Sequence, residues 1–209
     1  MAGIVIRVID KRVGYSFDPP LPRDLVVGAK TDLNLLFADI LDQADGTRIE
    51  TLILMSHAFY HLDAKGVERF GFGIQLGQQD IRLDNVAGFF SKLAGRFASE
   101  KRGIELRGCG AAAYSKVVSD AGVVSVGDGL SLCQAIANAA RTGVLASPDA
   151  QPGLCHVVPS AGLTRSGATL TPTTGTEIGY CEVGSWTGQV WTFTPNAAVD
   201  GSAHGVLRH

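Results

Sequence analysis

The chain has 209 residues, 45% of them hydrophobic and 18% charged. That is enough to bury about 70% of the unfolded surface without disulfide staples, and it excludes a disordered chain. Eighteen basic against 20 acidic residues give a net charge of -2 with no long basic run, which argues against nucleic acid or an anionic membrane as main partner. No stretch of 18 apolar residues exists, and the charged N-terminus "MAGIVIRVIDKR" lacks the apolar core of a signal peptide. The expected compartment is therefore the cytoplasm.

The first strand is expected over residues 3–10, "GIVIRVID", which alternates and is β-branched. The proline-rich "GYSFDPPLPRD" follows as a loop. A helix is expected over 31–45, with Thr31 as N-cap and apolar residues at 33, 35, 36, 40 and 41. Residues 49–56, "IETLILMS", are nearly continuously apolar, as in a strand covered on both faces, and they lead into His57. Residues 58–69 read as a loop and the glycine-punctuated 70–81 as a hairpin. An amphipathic helix is expected over 83–100, apolar at 86, 89, 90, 93 and 97, then a strand over 103–107. "AAAYSKVVSDAG" (111–122) reads as helical, 129–143 as a stronger helix, and 144–147 as a strand.

Past residue 148 the helical periodicity is lost and turn residues multiply. Short strands and hairpins are expected there, "GQVWTFTP" among them, and a loose tail at 197–209. The whole reads as one domain, 1–209: an α/β core over about 1–147, a β-rich extension over 148–196, then the tail. Alternation of strands and helices argues for a largely parallel sheet with helices on both faces, a three-layer α/β/α arrangement.

In such a sheet ligands bind beyond the carboxyl ends of the strands. His57 and Cys109 each follow a predicted strand, and they share one rim if those strands are neighbours. An ordinary thiol is only a few per cent thiolate at neutral pH, so an imidazole beside it is the natural activator. Gly108 and Gly110 flank Cys109 and offer open backbone N–H groups to a developing oxyanion. The competing reading makes Cys109 a small buried hydrophobe in a tight turn.

This pattern resembles the caspase-like cysteine peptidases, the clan that includes legumains, gingipains and clostripain-type enzymes. "TLILMSHA" stands for the strand that ends in the histidine, and "IELRGCG" for the strand that ends in the cysteine. The 52 positions between His57 and Cys109 compare with the roughly 50 of caspases. The resemblance covers about residues 50–150. It implies a caspase-like sheet, His57 as general base or acid, Cys109 as nucleophile, and the N–H groups of Ala58 and Cys109 as oxyanion donors. Ser147 and Asp149, on the same rim, would line a substrate pocket. The substrate would be a peptide or protein, and neither cofactor nor metal is needed.

Two departures stand out. Ala58 replaces the glycine usual after the histidine, and "RGCGA" is not the caspase pentapeptide. A catalytically inactive caspase-like interaction domain and a non-peptidase thiol hydrolase therefore stay open as alternatives.

Other signals are weaker. The four cysteines are spaced by 24, 22 and 26 positions, unlike zinc ligands, and read as reduced thiols. Cys133 lies on an apolar helix face. Gly127-Asp128-Gly129 reads as a loop with Asp128 near a helix cap. His61 reads as a surface residue, and Trp186 and Trp191 as cover for the sheet. The oligomeric state is not legible.

Overall fold

The computed structural model describes residues 3–14, 23–119, 121–149, 151, 155–166, 169–181, 186, 188–196 and 206–207. In chain order the elements are β1 (Ile4–Asp10), a 3-10 turn (Lys11–Val13), β2 (Leu25–Val27), α1 (Leu33–Ala44), β3 (Ile49–Met55), β4 (His61–Leu62), β5 (Glu68–Arg69), α2 (Val86–Phe90) running into a 3-10 turn (Ser91–Leu93), β6 (Ile104–Arg107), β7 (Tyr114–Val118), β8 (Val124–Asp128), α3 (Gly129–Ala140), β9 (Val144–Ala146), β10 (Cys155–Ser166), β11 (Thr169–Cys181), β12 (Val190–Phe193) and β13 (Val206–Leu207). Seven strands form one mixed sheet in the order β13-β12-β9-β6-β3-β1-β2. The five from β2 to β9 are parallel, while β12 runs antiparallel to β9 and β13 antiparallel to β12. The protein is thus α/β with a mostly parallel sheet. Three two-stranded hairpins, β4-β5, β7-β8 and β10-β11, lie outside it.

Strand alternation sorts the sheet's two faces. Ile6, Val8, Leu52, Leu54, Ile104, Leu106, Val144 and Ala146 point to one face and share a core with α1, α2 and α3. Phe37 of α1 ties that layer together, edge-on to Phe90 at 5.0 Å and tilted against Phe89 at 5.7 Å between ring centres. Burying each such ring contributes about 1.5–3 kcal/mol. On the opposite face Ile9, Ile53, Met55 and Leu145 are buried beside a polar group. There Glu105 binds both Arg102 and Arg107, and the Arg107 guanidinium stacks on Trp186 at 3.9 Å. All three α-helices of the described residues line the first face, so the expected helical layer on the second face is not among them.

Several local expectations are corrected. Helix α1 starts at Leu33 because Asp32, not Thr31, caps it by accepting the Asn34 N–H at 2.7 Å. Thr31 instead accepts the Gly28 N–H. The helix expected over 83–100 is only Val86–Phe90 with a 3-10 turn, ended by Gly95 at φ +74°. Its apolar stripe survives, with Val86, Phe89, Phe90, Leu93 and Phe97 all in the core. The helix expected over 111–122 is not formed by the described residues of that span: "YSKVV" alternates, is β-branched, and pairs as β7 with β8. The loop at 58–69 holds the small β4-β5 hairpin, and 70–81 forms isolated bridges rather than strands. Within the expected tail, Val206–Leu207 pairs with β12.

Other expectations are met. Strands β1, β3, β6, β9 and β12 fall where the apolar runs put them, and α3 spans most of 129–143. Asp128 caps α3 through the Ser131 N–H at 2.9 Å. Cys133 is fully buried on that helix, and burial pushes its thiol far up. No helix among the described residues is long and apolar enough to cross a membrane.

Candidate active site

Strands β3 and β6 are parallel neighbours, with Met55 opposite Arg107 at the last paired position. The chain beyond each then reaches His57 and Cys109, so both residues stand at the carboxyl rim of the sheet's centre. Gly108 makes this approach close. A Cβ there would lie 2.7 Å from the Ser56 carbonyl oxygen and 3.6 Å from the Ala58 nitrogen. Gly108→Ala should therefore wedge the two strand ends apart, at a cost of about 1–3 kcal/mol. Its midpoint of thermal unfolding should fall, and a midpoint equal to wild type would disprove the contact.

The segment after β3 is pinned on one side. The His57 carbonyl accepts the Gln75 N–H at 2.8 Å, and the Phe59 N–H reaches the Gly73 carbonyl at 2.9 Å. These bonds form the bridge between Ala58 and Ile74. The His57 ring is exposed, and its Nε2 lies 3.2 Å from the Arg12 carbonyl oxygen, just after β1. A carbonyl can only accept, so Nε2 carries the proton there and Nδ1 is left as the basic nitrogen.

Cys109 is half-buried, and its Sγ lies 3.2 Å from the Gln151 carbonyl, which accepts the thiol proton. The turn after it is held against the end of β9. The Gly110 N–H donates to the Asp149 carbonyl at 2.7 Å and the Ala112 N–H to the Ser147 carbonyl at 3.0 Å. Gly110 sits at φ +58° with Phe70 packed where a side chain would stand, a position fit for glycine alone.

The expected oxyanion donors now separate. The Gly110 N–H is spent on Asp149, whereas the N–H groups of Ala58 and Cys109 make no hydrogen bond among the described residues. Ser147 is fully buried, and its hydroxyl accepts the Asp149 N–H at 3.0 Å and the Gln151 side-chain amide at 2.8 Å. It shapes the 147–151 turn beside Cys109. Asp149 is exposed, and its carboxylate accepts the Gln189 N–H at 2.7 Å. Ser147 and Asp149 thus join Cys109 at one rim.

His61 stands apart, edge-on to the Phe72 ring at 4.3 Å. Among the described residues no three His, Cys, Asp or Glu side chains gather as metal ligands would. A cavity of about 120 Å³ lined by Gly71, Phe72, Gly73, Leu83, Val126, Asp128 and Leu132 includes neither His57 nor Cys109 in its wall.

Sequence reading missed the group at the end of β1. Asp10 is fully buried and accepts from the Arg12 backbone N–H at 3.0 Å, Arg12 Nε at 2.8 Å, Arg12 Nη2 at 2.6 Å and the Gly77 N–H at 3.1 Å. The one signal was an aspartate closing a β-branched strand.

No family model, curated protein or solved structure matches the chain.

Proposed function

We propose that this protein is a cysteine peptidase of caspase-like type, with Cys109 as nucleophile and His57 as its acid–base partner. The observation that carries the reading is the joining of His57 and Cys109 at the ends of adjacent parallel strands, with Gly108 against Ser56 between them. The order β2-β1-β3-β6-β9 followed by an antiparallel β12 supports the caspase-like form of the sheet. The three-layer arrangement belongs to the same reading, with the face that carries Glu105 and Arg107 as the one a further layer would cover.

In the reaction the Cys109 thiol gives its proton to the unprotonated ring nitrogen of His57. The sulfur adds to the peptide carbonyl, and the carbonyl oxygen takes the negative charge within reach of the Ala58 and Cys109 N–H groups. The His57 imidazolium then protonates the leaving amine, which departs and leaves a thioester. Water, deprotonated by His57, hydrolyses the thioester and frees Cys109.

The test is a diverse peptide library digested by wild type and by Cys109→Ala. Cleavage at a consistent P1 residue that vanishes in Cys109→Ala is the expected result. Cleavage that persists in Cys109→Ala refutes the assignment of the nucleophile. The interaction-domain alternative draws on Ala58, whose methyl group narrows the space where the clan usually has glycine. No cleavage by wild type, with Cys109 slow to alkylate, would favour it.

A further inference from the structure

We infer that Asp10 is a positioning residue for His57: its carboxylate, acting through Arg12 and Gly77, fixes the tautomer and the orientation of the imidazole. The inference rests on the reading of His57 as the base. Two connections run from Asp10 to that histidine.

The first passes through Arg12. Asp10 takes three hydrogen bonds from this one residue, from the backbone N–H and from two nitrogens of the guanidinium. The 3-10 turn Lys11–Val13 is capped by the same carboxylate and closed by Gly14 at φ +82°. Arg12 is thus clamped at its main-chain N–H and at its side chain, inside a capped turn. The Arg12 carbonyl is the group 3.2 Å from His57 Nε2.

The second passes through the 75–80 loop. Asp10 accepts the Gly77 N–H, and Arg12 Nη2 donates to the Gly77 carbonyl at 2.9 Å. Two residues earlier the Gln75 N–H holds the His57 carbonyl. The loop is itself closed by Asp80, whose side chain accepts the Leu76 N–H at 3.1 Å and lies 3.6 Å from Arg12. The ring and the main chain of His57 are therefore both referred to one buried carboxylate.

The charges at this junction fit that task. Burial pushes the Asp10 carboxyl up, but the bonds from Arg12 and Gly77 outweigh it and hold Asp10 below the usual carboxylate value. Asp10 is thus ionised at neutral pH and is an acceptor only. Asp80, raised by burial, is the more weakly engaged partner of Arg12.

A buried carboxylate so satisfied could serve the fold alone, so the readout must be one that stability does not move. Full-length protein labelled with nitrogen-15 at histidine, with His57→Gln used to assign the signal, reports the His57 tautomer directly. Wild type above pH 8 should show the proton on Nε2. Asp10→Asn keeps the shape and can still accept from Gly77, but it turns an N–H donor toward Arg12 or gives up one acceptor. Its His57 signals should move toward a mixture of tautomers, and Cys109 alkylation at pH 7 should slow by about 3- to 10-fold, a part of the loss that removal of the imidazole itself would cause.

If Asp10→Asn does not fold, Arg12→Lys keeps the charge and loses the fork, and it should give the same change. Asp128→Asn, a change at the α3 cap outside this junction, should leave both readouts at wild type. A folded Asp10→Asn or Arg12→Lys with an unchanged His57 spectrum, whatever its melting temperature, overturns the inference. A tautomer that responds in a protein that cleaves no peptide would instead leave the positioning intact and remove the peptidase reading.

Discussion

His57→Ala should slow alkylation of Cys109 by iodoacetamide about 30-fold at pH 7 and leave the rate at pH 10 unchanged. The figure follows from the thiolate fraction. An unassisted thiol with the reference value near 8.5 is about 3% ionised at neutral pH, while a thiol paired with an imidazole approaches full ionisation. At pH 10 both proteins hold thiolate, so the rates converge. Cys109 now donates its proton to the Gln151 carbonyl, and transfer to His57 replaces that bond. Cys133 will not confuse the result, because burial keeps its thiol protonated and out of reach of the reagent. Mapping of the labelled peptide identifies Cys109. Equal rates at pH 7 would mean that the histidine does not touch the ionisation of the cysteine, and the dyad would fall. With a cleavable peptide the same substitution should lower kcat by about 10²- to 10⁴-fold, the range of general acid–base catalysis.

The largest loss of stability should come from Glu105→Ala. Glu105 is fully enclosed on the sheet's second face and takes bonds from Arg102 at 2.6 Å and from Arg107 at 2.9 Å and 2.5 Å. Removing it strands the Arg107 guanidinium, itself only 11% exposed, against the Trp186 ring without its carboxylate. Breaking a buried pair from one side costs about 3–5 kcal/mol. For a chain of this size that lowers the melting temperature by on the order of 10 °C. The double change Glu105→Leu with Arg107→Met should recover most of the loss, because an apolar pair leaves no uncompensated charge. A Glu105→Ala protein that melts with wild type would show that the pair adds nothing.

The pH dependence has a definite sign. Burial pushes both Asp10 and Glu105 up, but their arginine partners, and for Asp10 also Gly77, outweigh it and hold both below their ordinary values. A depressed folded value adds stability that is complete above the unfolded value, near pH 4, and lost as pH falls through the folded one. Melting temperature should therefore fall steeply below about pH 4. The fall should be shallower in the Glu105→Leu, Arg107→Met protein, which has lost one of the two carboxylates.

Short-range signals determined much of this molecule. The apolar runs at 49–56 and 103–107 wrote two strands into the chain, and each stops where His57 and Gly108-Cys109 begin. A continuous apolar run must be covered on both faces, so a central parallel strand was the consistent reading. The helix 129–143 was legible because its apolar spacing and its Asp128 cap agree. Where the local signals conflict, tertiary contacts decided. Ala111, Ala112 and Ala113 suggest a helix by propensity, yet they form a turn because Gly71 and Gly129 press their backbones on the Ala111 and Ala113 carbonyls. Small residues were required there by packing, and propensity carries no record of that. The stripe at 83–100 kept its buried face but not its helix, since Gly95 turns the chain at positive φ.

The site divides in the same way. His57 and Cys109 could be named from the ends of their own strands. That β3 and β6 are neighbours, and that Gly108 brings their ends into contact, followed only from the sheet order. The support beneath His57 was not legible at all, because Asp10 meets Gly77 across 67 positions and His57 meets Arg12 across 45. Periodicity and spacing register neighbours along the chain. A buried carboxylate whose partners come from another loop is set by how β1 and β3 pack side by side, and only the folded sheet brings those residues together.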